Sequence, residues 1–286
     1  MKFVGYDGGQ IGVLHEETVH DLTDLPGVEH QVWPPSAMLR FIREFERYAG
    51  AAQDAVTKPG RSINEVHLET PLQWPNKVIA YPINYDSHGS EMNSPNRADR
   101  NGFFLKPSSA LSGPADPIVL PDIPGREFHH EIELAIVIGK QGKDIEPEQA
   151  ASYIFGYSCL LDITLRGSEE RVMRKAYDSF CPFGPAIVTA DEVGDPGKLS
   201  LRLSVNGELR QDGNTRDLIL DVSRMVALAS RVSTLYPGDI IATGTPAGVG
   251  PIKPGDVVDC EIDRVGSMSL SVIQGGVGHN ALIGGD

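Results

Sequence analysis

Residues 128–139, with the sequence FHHEIELAIVIG, constrain the fold of this chain more than any other segment. They predict a β-strand, because aliphatic and β-branched residues dominate and Gly139 closes the run. Alternate residues of a strand point to the same face, so the carboxylates of Glu131 and Glu133 project side by side. Buried like charges repel each other. Either a divalent cation with oxygen ligands lies between them, or both carboxylates reach water at a polar strand end.

A third acidic residue stands in a second apolar segment, residues 154–164. Strands disfavour aspartate, and burial penalises its charge, so Asp162 needs an explanation. It is either a third metal ligand or a residue of the turn that ends this strand.

A histidine and a glutamate lie three residues apart after a predicted strand at residues 77–81. On a helical turn, His88 and Glu91 share a face and can form a hydrogen bond. A histidine held in this way is poised to take a proton from water as a general base. The spacing also fits a surface histidine beside an exposed glutamate. The polar residues 93–101 that follow are typical of a mobile lid.

The net charge of −14 argues against nucleic acid and anionic membranes as partners. An anionic small molecule is compatible with it, because a metal and a few basic residues can dominate inside a cleft. No apolar run approaches the roughly 18 residues that span a bilayer, and no signal peptide is apparent, so a cytoplasmic protein is expected. Cys159, Cys181 and Cys260 lack the paired spacing of zinc sites or disulfide frameworks and are predicted to be buried free thiols.

The 286 residues suffice for a small and a large domain, predicted at residues 1–70 and 71–286. The first is expected to be an α+β unit with a helix from its N-cap Ser36 to about residue 55. The second contains a predicted helix at residues 218–234 and a glycine-rich loop at residues 243–250. That loop could offer backbone N–H groups or a threonine hydroxyl to an oxyanion, but it lacks the lysine of a nucleotide-binding P-loop.

Seven motifs, in this order, resemble those of the fumarylacetoacetate hydrolase family. They are Asn-Tyr-x-x-His-x-x-Glu at 84–91, Phe-Leu-Lys-Pro at 104–107, His-Glu-x-Glu-Leu at 130–134, Asp-x-Thr-x-Arg at 162–166, Lys-x-x-Asp-x-Phe-Cys-Pro-Phe-Gly-Pro at 175–185, Asn-Gly-Glu at 206–208 and Thr-Gly-Thr-Pro-x-Gly-Val-Gly at 243–250. Each motif alone is weak, but seven in the same order are very improbable by chance. The resemblance spans about residues 77–275.

The resemblance implies a strand-rich α+β fold, in which mixed β-strands roll into a distorted barrel behind a small N-terminal α+β domain, and a homodimer. It implies a Mg²⁺ or Mn²⁺ site, with Ca²⁺ as an alternative, formed by Glu131, Glu133 and Asp162. It also implies that His88 and Glu91 activate a water molecule on a lid. The other residues that the resemblance places at the substrate are Lys175 in catalysis and Tyr85, Lys106, Arg166 and Thr245 in binding.

The implied function is a divalent-metal-dependent hydrolase that cleaves a C–C bond in an acylpyruvate, such as fumarylpyruvate or maleylpyruvate, in aromatic-compound catabolism. A divalent ion polarises the carbonyl and stabilises the enolate left by C–C cleavage, while a histidine–glutamate base activates water. The alternatives are a decarboxylase or isomerase of 2-oxo-diacids, of the oxaloacetate or 2-hydroxyhepta-2,4-diene-1,7-dioate type, and a non-catalytic binder of dicarboxylates.

Two positions depart from the pattern of family members that act on acylpyruvates. Ile83 stands where those members often have a cation, and Glu169 stands where they often have glutamine. Both positions are expected near the substrate carboxylate, so Glu169 predicts added repulsion of an anionic ligand. Arg166, Lys106 or Arg174 is expected to compensate for it.

Overall fold

Strands dominate the computed structural model, which describes residues 1–25, 28 and 33–278. The strands are, in chain order, β1 (Lys2–Tyr6), β2 (Gln10–His15), β3 (Thr18–Asp21), β4 (Arg61–Ser62), β5 (Leu68–Glu69), β6 (Val78–Ala80), β7 (Phe104–Lys106), β8 (Leu111–Ser112), β9 (Ile118–Asp122), β10 (Phe128–His130), β11 (Ile132–Ile138), β12 (Ile154–Leu161), β13 (Thr164–Leu165), β14 (Cys181–Thr189), β15 (Ser200–Val205), β16 (Glu208–Asn214), β17 (Ile240–Ala242), β18 (Gly250–Ile252), β19 (Val257–Ile262) and β20 (Gly266–Val277).

Helices are fewer than strands in the described ranges. The α-helices are α1 (Ala37–Arg43), α2 (Phe45–Ala55), α3 (Asp86–Glu91), α4 (Ala98–Asn101), α5 (Arg171–Arg174), α6 (Ala190–Val193) and α7 (Val222–Val232). Short 3₁₀ helices cover Ile63–Glu65, Ser108–Ala110, Pro147–Tyr153, Pro196–Lys198 and Thr215–Asp217. None of the helices in the described ranges is long and apolar enough to cross a membrane.

The largest sheet is built around β11, which pairs antiparallel with β12 on one side and β17 on the other. Its strand order is β4-β3-β2-β1-β14-β12-β11-β17-β6-β7. All seven residues of β11 are buried because both faces of the strand are covered. Leu134 and Ile136 belong to one hydrophobic core, whereas Ala135 and Val137 belong to a second one on the opposite face. This buried central strand carries Glu133.

Two smaller sheets complete the fold. One has the order β16-β15-β19-β20-β9, and the other has the order β13-β10-β18. The predicted strand-rich α+β class is therefore confirmed. Within the described ranges the sheets are open, so the expected rolled barrel is an assembly of separate sheets and not a closed one.

The single strand predicted at residues 128–139 is two strands, interrupted at Glu131. β10 pairs with β13 and β18, whereas β11 pairs with β12 and β17. Glu131 lies where the chain passes from one sheet to the other, and it belongs to neither ladder. Asp162 occupies a matching position after the end of β12, and its N–H donates to the Glu131 carbonyl at 2.9 Å.

Both predicted helices differ from the observed ones. The helix expected from Ser36 to about residue 55 is divided into α1 and α2 at Glu44, and Ser36 makes no side-chain cap. The helix expected from residue 218 begins only at Val222, because the Asp221 carboxylate caps it by accepting from the Arg224 N–H at 2.8 Å.

The N-terminal residues are joined to the rest of the structure by strand pairing and by packing. β1 pairs with β14, so residues before and after position 70 share one sheet. Phe45 of α2 packs edge-on against Phe155 of β12, with ring centroids 5.0 Å apart. The division into domains at residue 70 stays a prediction, and residues 279–286 of the second one lie outside the described ranges. The three cysteines are free and buried, as predicted.

Candidate active site

Three carboxylates converge where the two strand breaks meet. Glu131 follows β10, Glu133 lies in β11 and Asp162 follows β12. The antiparallel register, with Ile132 opposite Leu161, brings Asp162 beside the two glutamates. One oxygen from each carboxylate lies within 4.8 Å of the others, and all three side chains are buried. The water-exposed alternative for Glu131 and Glu133 is therefore inconsistent with the structure. Asp162 does follow the end of its strand, as its alternative held, but it is buried beside the two glutamates.

The electrostatics of this cluster favour a bound cation. Burial and the neighbouring charge of Asp162 raise the pKa of Glu133 well above its ordinary value. Burial acts in the same direction on Glu131, but the nearby charges of Lys175 and Arg166 outweigh it and lower the Glu131 pKa. Oxygen ligands suit hard divalent ions, so the donor set fits Mg²⁺, Mn²⁺ or Ca²⁺.

Lys175 lies directly against the carboxylates. Its ammonium donates to Glu131 at 2.9 Å, to Asp162 at 2.6 Å and to the Thr164 hydroxyl at 2.6 Å. Burial lowers the Lys175 pKa, but the charges of Asp162 and Glu131 more than offset this and raise it. Lys175 therefore stays charged beside the group that would hold the metal.

Lys106, which the resemblance places at the substrate, lies behind the site instead. Its ammonium donates to Asp162 at 2.6 Å and to the carbonyls of Lys175 and Phe180 at 2.6 and 3.2 Å. These contacts use all three ammonium donors, and the side chain is fully buried. The structure thus indicates that Lys106 fixes the orientation of Asp162 and the position of Lys175, without contacting a ligand.

His88 and Glu91 lie on α3 and contact each other. The His88 Nδ1 and a Glu91 oxygen are 3.0 Å apart, and His88 is only 5% exposed, so it is not a surface histidine. Glu91 also accepts a hydrogen bond from the Gly248 N–H at 2.9 Å. Because the carboxylate accepts from Nδ1–H, the lone pair of His88 is on Nε2.

These groups share one cavity of about 260 Å³. Its wall includes the three carboxylates, Lys175 and His88, and also the predicted substrate-binding residues Arg166 and Thr245. Arg166 donates to Glu131 at 3.0 Å. A histidine base, three carboxylates and several cations therefore face one space of small-molecule size.

Tyr85, which the resemblance also places at the substrate, lines a neighbouring cavity and not this one. Its side chain is buried, and burial together with the charge of Glu133 raises its pKa. Asn84, from the same motif, has a structural role. Its amide nitrogen donates to the carbonyls of Leu220 and Thr243, and its amide oxygen accepts from the Leu220 N–H.

The glycine-rich loop supports the site in a way that differs from the expectation. The Gly244 N–H donates to Glu133 at 2.7 Å, so this N–H holds a carboxylate and is not free for an oxyanion. Gly244 has φ +89°, and a Cβ on it would lie 2.8 Å from Cβ of Asn84. Only glycine suits this position.

Sequence reasoning missed Gln211 of β16, whose buried amide links four groups. Its oxygen accepts from the Ile132 N–H at 3.1 Å and lies 3.0 Å from Nδ1 of His130. Its nitrogen donates to the Thr245 hydroxyl at 2.8 Å and to the Pro246 carbonyl at 2.9 Å. A glutamine among the polar residues of a hairpin strand gives no local signal of burial. Gln211 thus ties the glycine-rich loop to the strand of the carboxylates.

We expect Gln211→Leu to lower the free energy of unfolding by at least ~2 kcal/mol, because it leaves buried donors without partners. The measurement is the urea concentration at the midpoint of unfolding, provided that the slope of the unfolding free energy against urea concentration is unchanged. Gln53→Leu, at an exposed site of α2, is the control and should leave the midpoint nearly unchanged. Equal midpoints for Gln211→Leu and the wild type would contradict the structural role of Gln211.

The two departures from the family pattern have different consequences. Ile83 lines the cavity with an apolar side chain. Glu169 forms two hydrogen bonds of 2.7 Å with the guanidinium of Arg126. Arg126 therefore offsets the expected repulsion between Glu169 and an anionic ligand. Arg126 lies outside the seven motifs, so the resemblance did not indicate this partner.

Comparisons with known proteins agree with this geometry. The family model described as fumarylacetoacetate (FAA) hydrolase C-terminal matches residues 77–273. A maleylpyruvate hydrolase of Aquipseudomonas alcaligenes is 38% identical over 95% of this chain and 99% of its own length. A mitochondrial oxaloacetate tautomerase of Homo sapiens is 36% identical over 84% of this chain and 80% of its own. The crystal structure of maleylpyruvate hydrolase from Sphingobium sp. SYK-6, in complex with manganese(II) and pyruvate, has 52% identity and a TM-score of 0.89, covering 96% of this chain and 100% of that one.

Proposed function

Because the chain belongs to the fumarylacetoacetate hydrolase family, we propose that it is a divalent-metal-dependent hydrolase that cleaves the C–C bond of an acylpyruvate, with maleylpyruvate or fumarylpyruvate as its substrate. The observation that carries this proposal is the shared cavity: buried His88, which Glu91 contacts from behind, and three buried carboxylates face the same space. The resemblance to two maleylpyruvate hydrolases, one of them holding manganese and pyruvate, supports the choice of substrate.

Glu131, Glu133 and Asp162 would hold the divalent ion. The bound ion supplies Lewis acidity, which polarises the 2-oxo acid part of the substrate and stabilises the negative charge that develops there. Lys175 and Arg166 contact Glu131 and add positive charge on the same side of the cavity. They are suited to the substrate carboxylate or to an oxyanion.

His88 acts as the general base toward water. Its Nε2 takes a proton from a water molecule while the water oxygen bonds to the acyl carbonyl carbon. The C–C bond next to that carbon then breaks, and its electron pair remains on the methylene carbon of the pyruvate part, which takes up a proton. Glu91 holds the imidazole in the required tautomer and orientation. The products are pyruvate and the carboxylic acid of the acyl part.

A tautomerase or isomerase of 2-oxo-diacids is the second candidate, since a relative 36% identical is an oxaloacetate tautomerase. Such a reaction needs enolate stabilisation but no attack by water. Buried His88, held by Glu91, can activate that water, which favours hydrolysis over this alternative. A homodimer, a cytoplasmic location and separate domains divided at residue 70 are further proposals that rest on the sequence resemblance and composition.

The proposal is tested by incubating purified protein and Mn²⁺ with maleylpyruvate or fumarylpyruvate and measuring pyruvate. We expect pyruvate and the dicarboxylic acid in equal amounts, and no turnover after chelation of the metal. Loss of substrate that yields an isomer or CO₂ without pyruvate would overturn the hydrolase assignment in favour of the second candidate.

A further inference from the structure

Two arginines of the short helix α5 face the active-site cavity. Arg171 and Arg174 both line it, together with the carboxylates and His88. They are three residues apart, so they lie on the same side of the helical turn. Val172 and Met173 between them are exposed, at 45% and 40%, which indicates that α5 lies at the rim of the cavity with its arginines turned inward.

The charge of neither arginine is neutralised by a salt bridge in the described part of the chain. Arg174 donates from Nε to the main-chain carbonyl of Glu169 at 2.9 Å, while the carboxylate of Glu169 is engaged by Arg126. The Arg171 guanidinium lies 5.7 Å from the ring centroid of Phe104. Arg166 and Lys175, by contrast, are both bonded to Glu131. The cavity therefore has two cations near the metal ligands and two at the rim.

The cavity is positively charged within a strongly acidic protein. Four cationic side chains and three carboxylates line it, so even with every carboxylate ionised it carries one net positive charge, and a divalent ion would bring it to three. The whole chain has a net charge of −14. Burial and the nearby charges of Arg166 and Arg171 lower the pKa of Arg174, so an anion placed among these guanidiniums relieves their mutual repulsion. This arrangement suits a ligand with more than one negative charge.

We propose that Arg171 and Arg174 bind the carboxylate at the far end of the substrate, away from the metal, and so select acylpyruvates with a second carboxylate over those without one. This inference rests on the proposed hydrolase function and assigns its specificity. The carboxylate beside the 2-oxo group belongs with the metal, Arg166 and Lys175 at the inner end. A diacid extended from that end places its other carboxylate toward the rim, where guanidiniums recognise carboxylates well.

The test compares two substrates in the same variants. Maleylpyruvate has the second carboxylate, whereas acetylpyruvate has the same 1,3-diketo acid with a methyl group in place of that arm. For the diacid, Arg171→Gln and Arg174→Gln should each lower kcat/KM by about 10-fold or more, mainly through KM, as expected for loss of a charged hydrogen bond. For acetylpyruvate, both variants should stay within about twofold of the wild type, since the shared interactions remain.

Two further variants separate recognition from folding. Arg174→Lys keeps the charge and should recover part of the loss for the diacid, which a merely structural role would not explain. Arg202→Gln removes the same charge at an exposed position of β15 and should change neither substrate's kinetics. Equal kcat/KM of the wild type for both substrates, or equal losses for both in Arg174→Gln, would overturn the inference.

Failure of the proposed function has a different signature. If the Mn²⁺-loaded wild-type protein hydrolyses neither substrate, the hydrolase assignment is wrong. Calorimetric titration with the two acids then tests the arginines alone. Tighter binding of the diacid that disappears in the double variant supports their role, and equal affinity for the two acids overturns it.

Discussion

Glu133→Gln is expected to lower hydrolysis of the best acylpyruvate by ~10³-fold or more, because metal catalysis is worth several kcal/mol and each 1.36 kcal/mol is tenfold in rate. Glutamine keeps the shape of the side chain but removes the charge that a divalent ion requires. Glu133 is the carboxylate of the three that no lysine or arginine contacts in the described part of the chain; its partner is the Gly244 N–H. The fold should survive, because burial already raises the pKa of Glu133 and makes its charge costly.

The measurements are kcat/KM at saturating Mn²⁺ and the Mn²⁺ affinity by calorimetry. Thermal unfolding adds an independent readout, since Mn²⁺ at 100 times its dissociation constant should stabilise the wild type by about 2.7 kcal/mol and the variant by much less. Glu127→Gln is the matched control, an exposed acidic residue of the same segment that contacts His129. Wild-type kinetics and Mn²⁺ affinity in Glu133→Gln would contradict the metal assignment.

His88→Ala is expected to reduce hydrolysis by roughly 10²–10⁴-fold, the usual contribution of a general base. The affinity for Mn²⁺ should change little, since the carboxylates that would hold it are untouched. Glu91→Gln should have a smaller effect, because the imidazole remains and only its orientation and basicity suffer. Any enolate-only activity, such as oxaloacetate decarboxylation, should be spared, since the enolate then forms by loss of CO₂ and needs no activated water.

The measurements are single-turnover and steady-state rates, with the acylpyruvate and with oxaloacetate as substrates. His15→Ala, which removes an exposed histidine, is the control. Hydrolysis by His88→Ala at the wild-type rate would show that the pair is not the base. Another group of the cavity would then have to activate the water.

Much of the site could be predicted because its carboxylates and its histidine stand in short segments with recognisable patterns. Glu131 and Glu133 stand two residues apart at the start of one apolar segment, and Asp162 stands in a second apolar segment. Burying these charges is costly unless a cation lies beside them. Asn206 and Gly207 also behave as their sequence indicates: an Asn-Gly pair favours a hairpin turn, and here both residues have positive φ and join β15 to β16. Here local sequence and tertiary structure agree.

What could not be predicted depends on residues far apart in the sequence. The break at Glu131 follows from β10 and β11 pairing with different strands, which no local pattern reveals. Lys106 matches a family motif, yet it does not line the cavity, and its three hydrogen bonds go to residues 56 to 74 positions away in the sequence. The partnership of Glu169 with Arg126 likewise crosses 43 residues. The spacing of residues along the sequence predicts which side chains are neighbours within one helix or strand, but not contacts between distant segments.

The hydrolysis assay performed in H₂¹⁸O tests the central claim most directly. If His88 activates water against the acyl carbonyl, mass spectrometry should find one ¹⁸O atom in the new carboxylate of the released dicarboxylic acid. The carboxylate of pyruvate should carry none. Consumption of the acylpyruvate without a labelled acid fragment, as isomerisation or decarboxylation would give, would contradict the account.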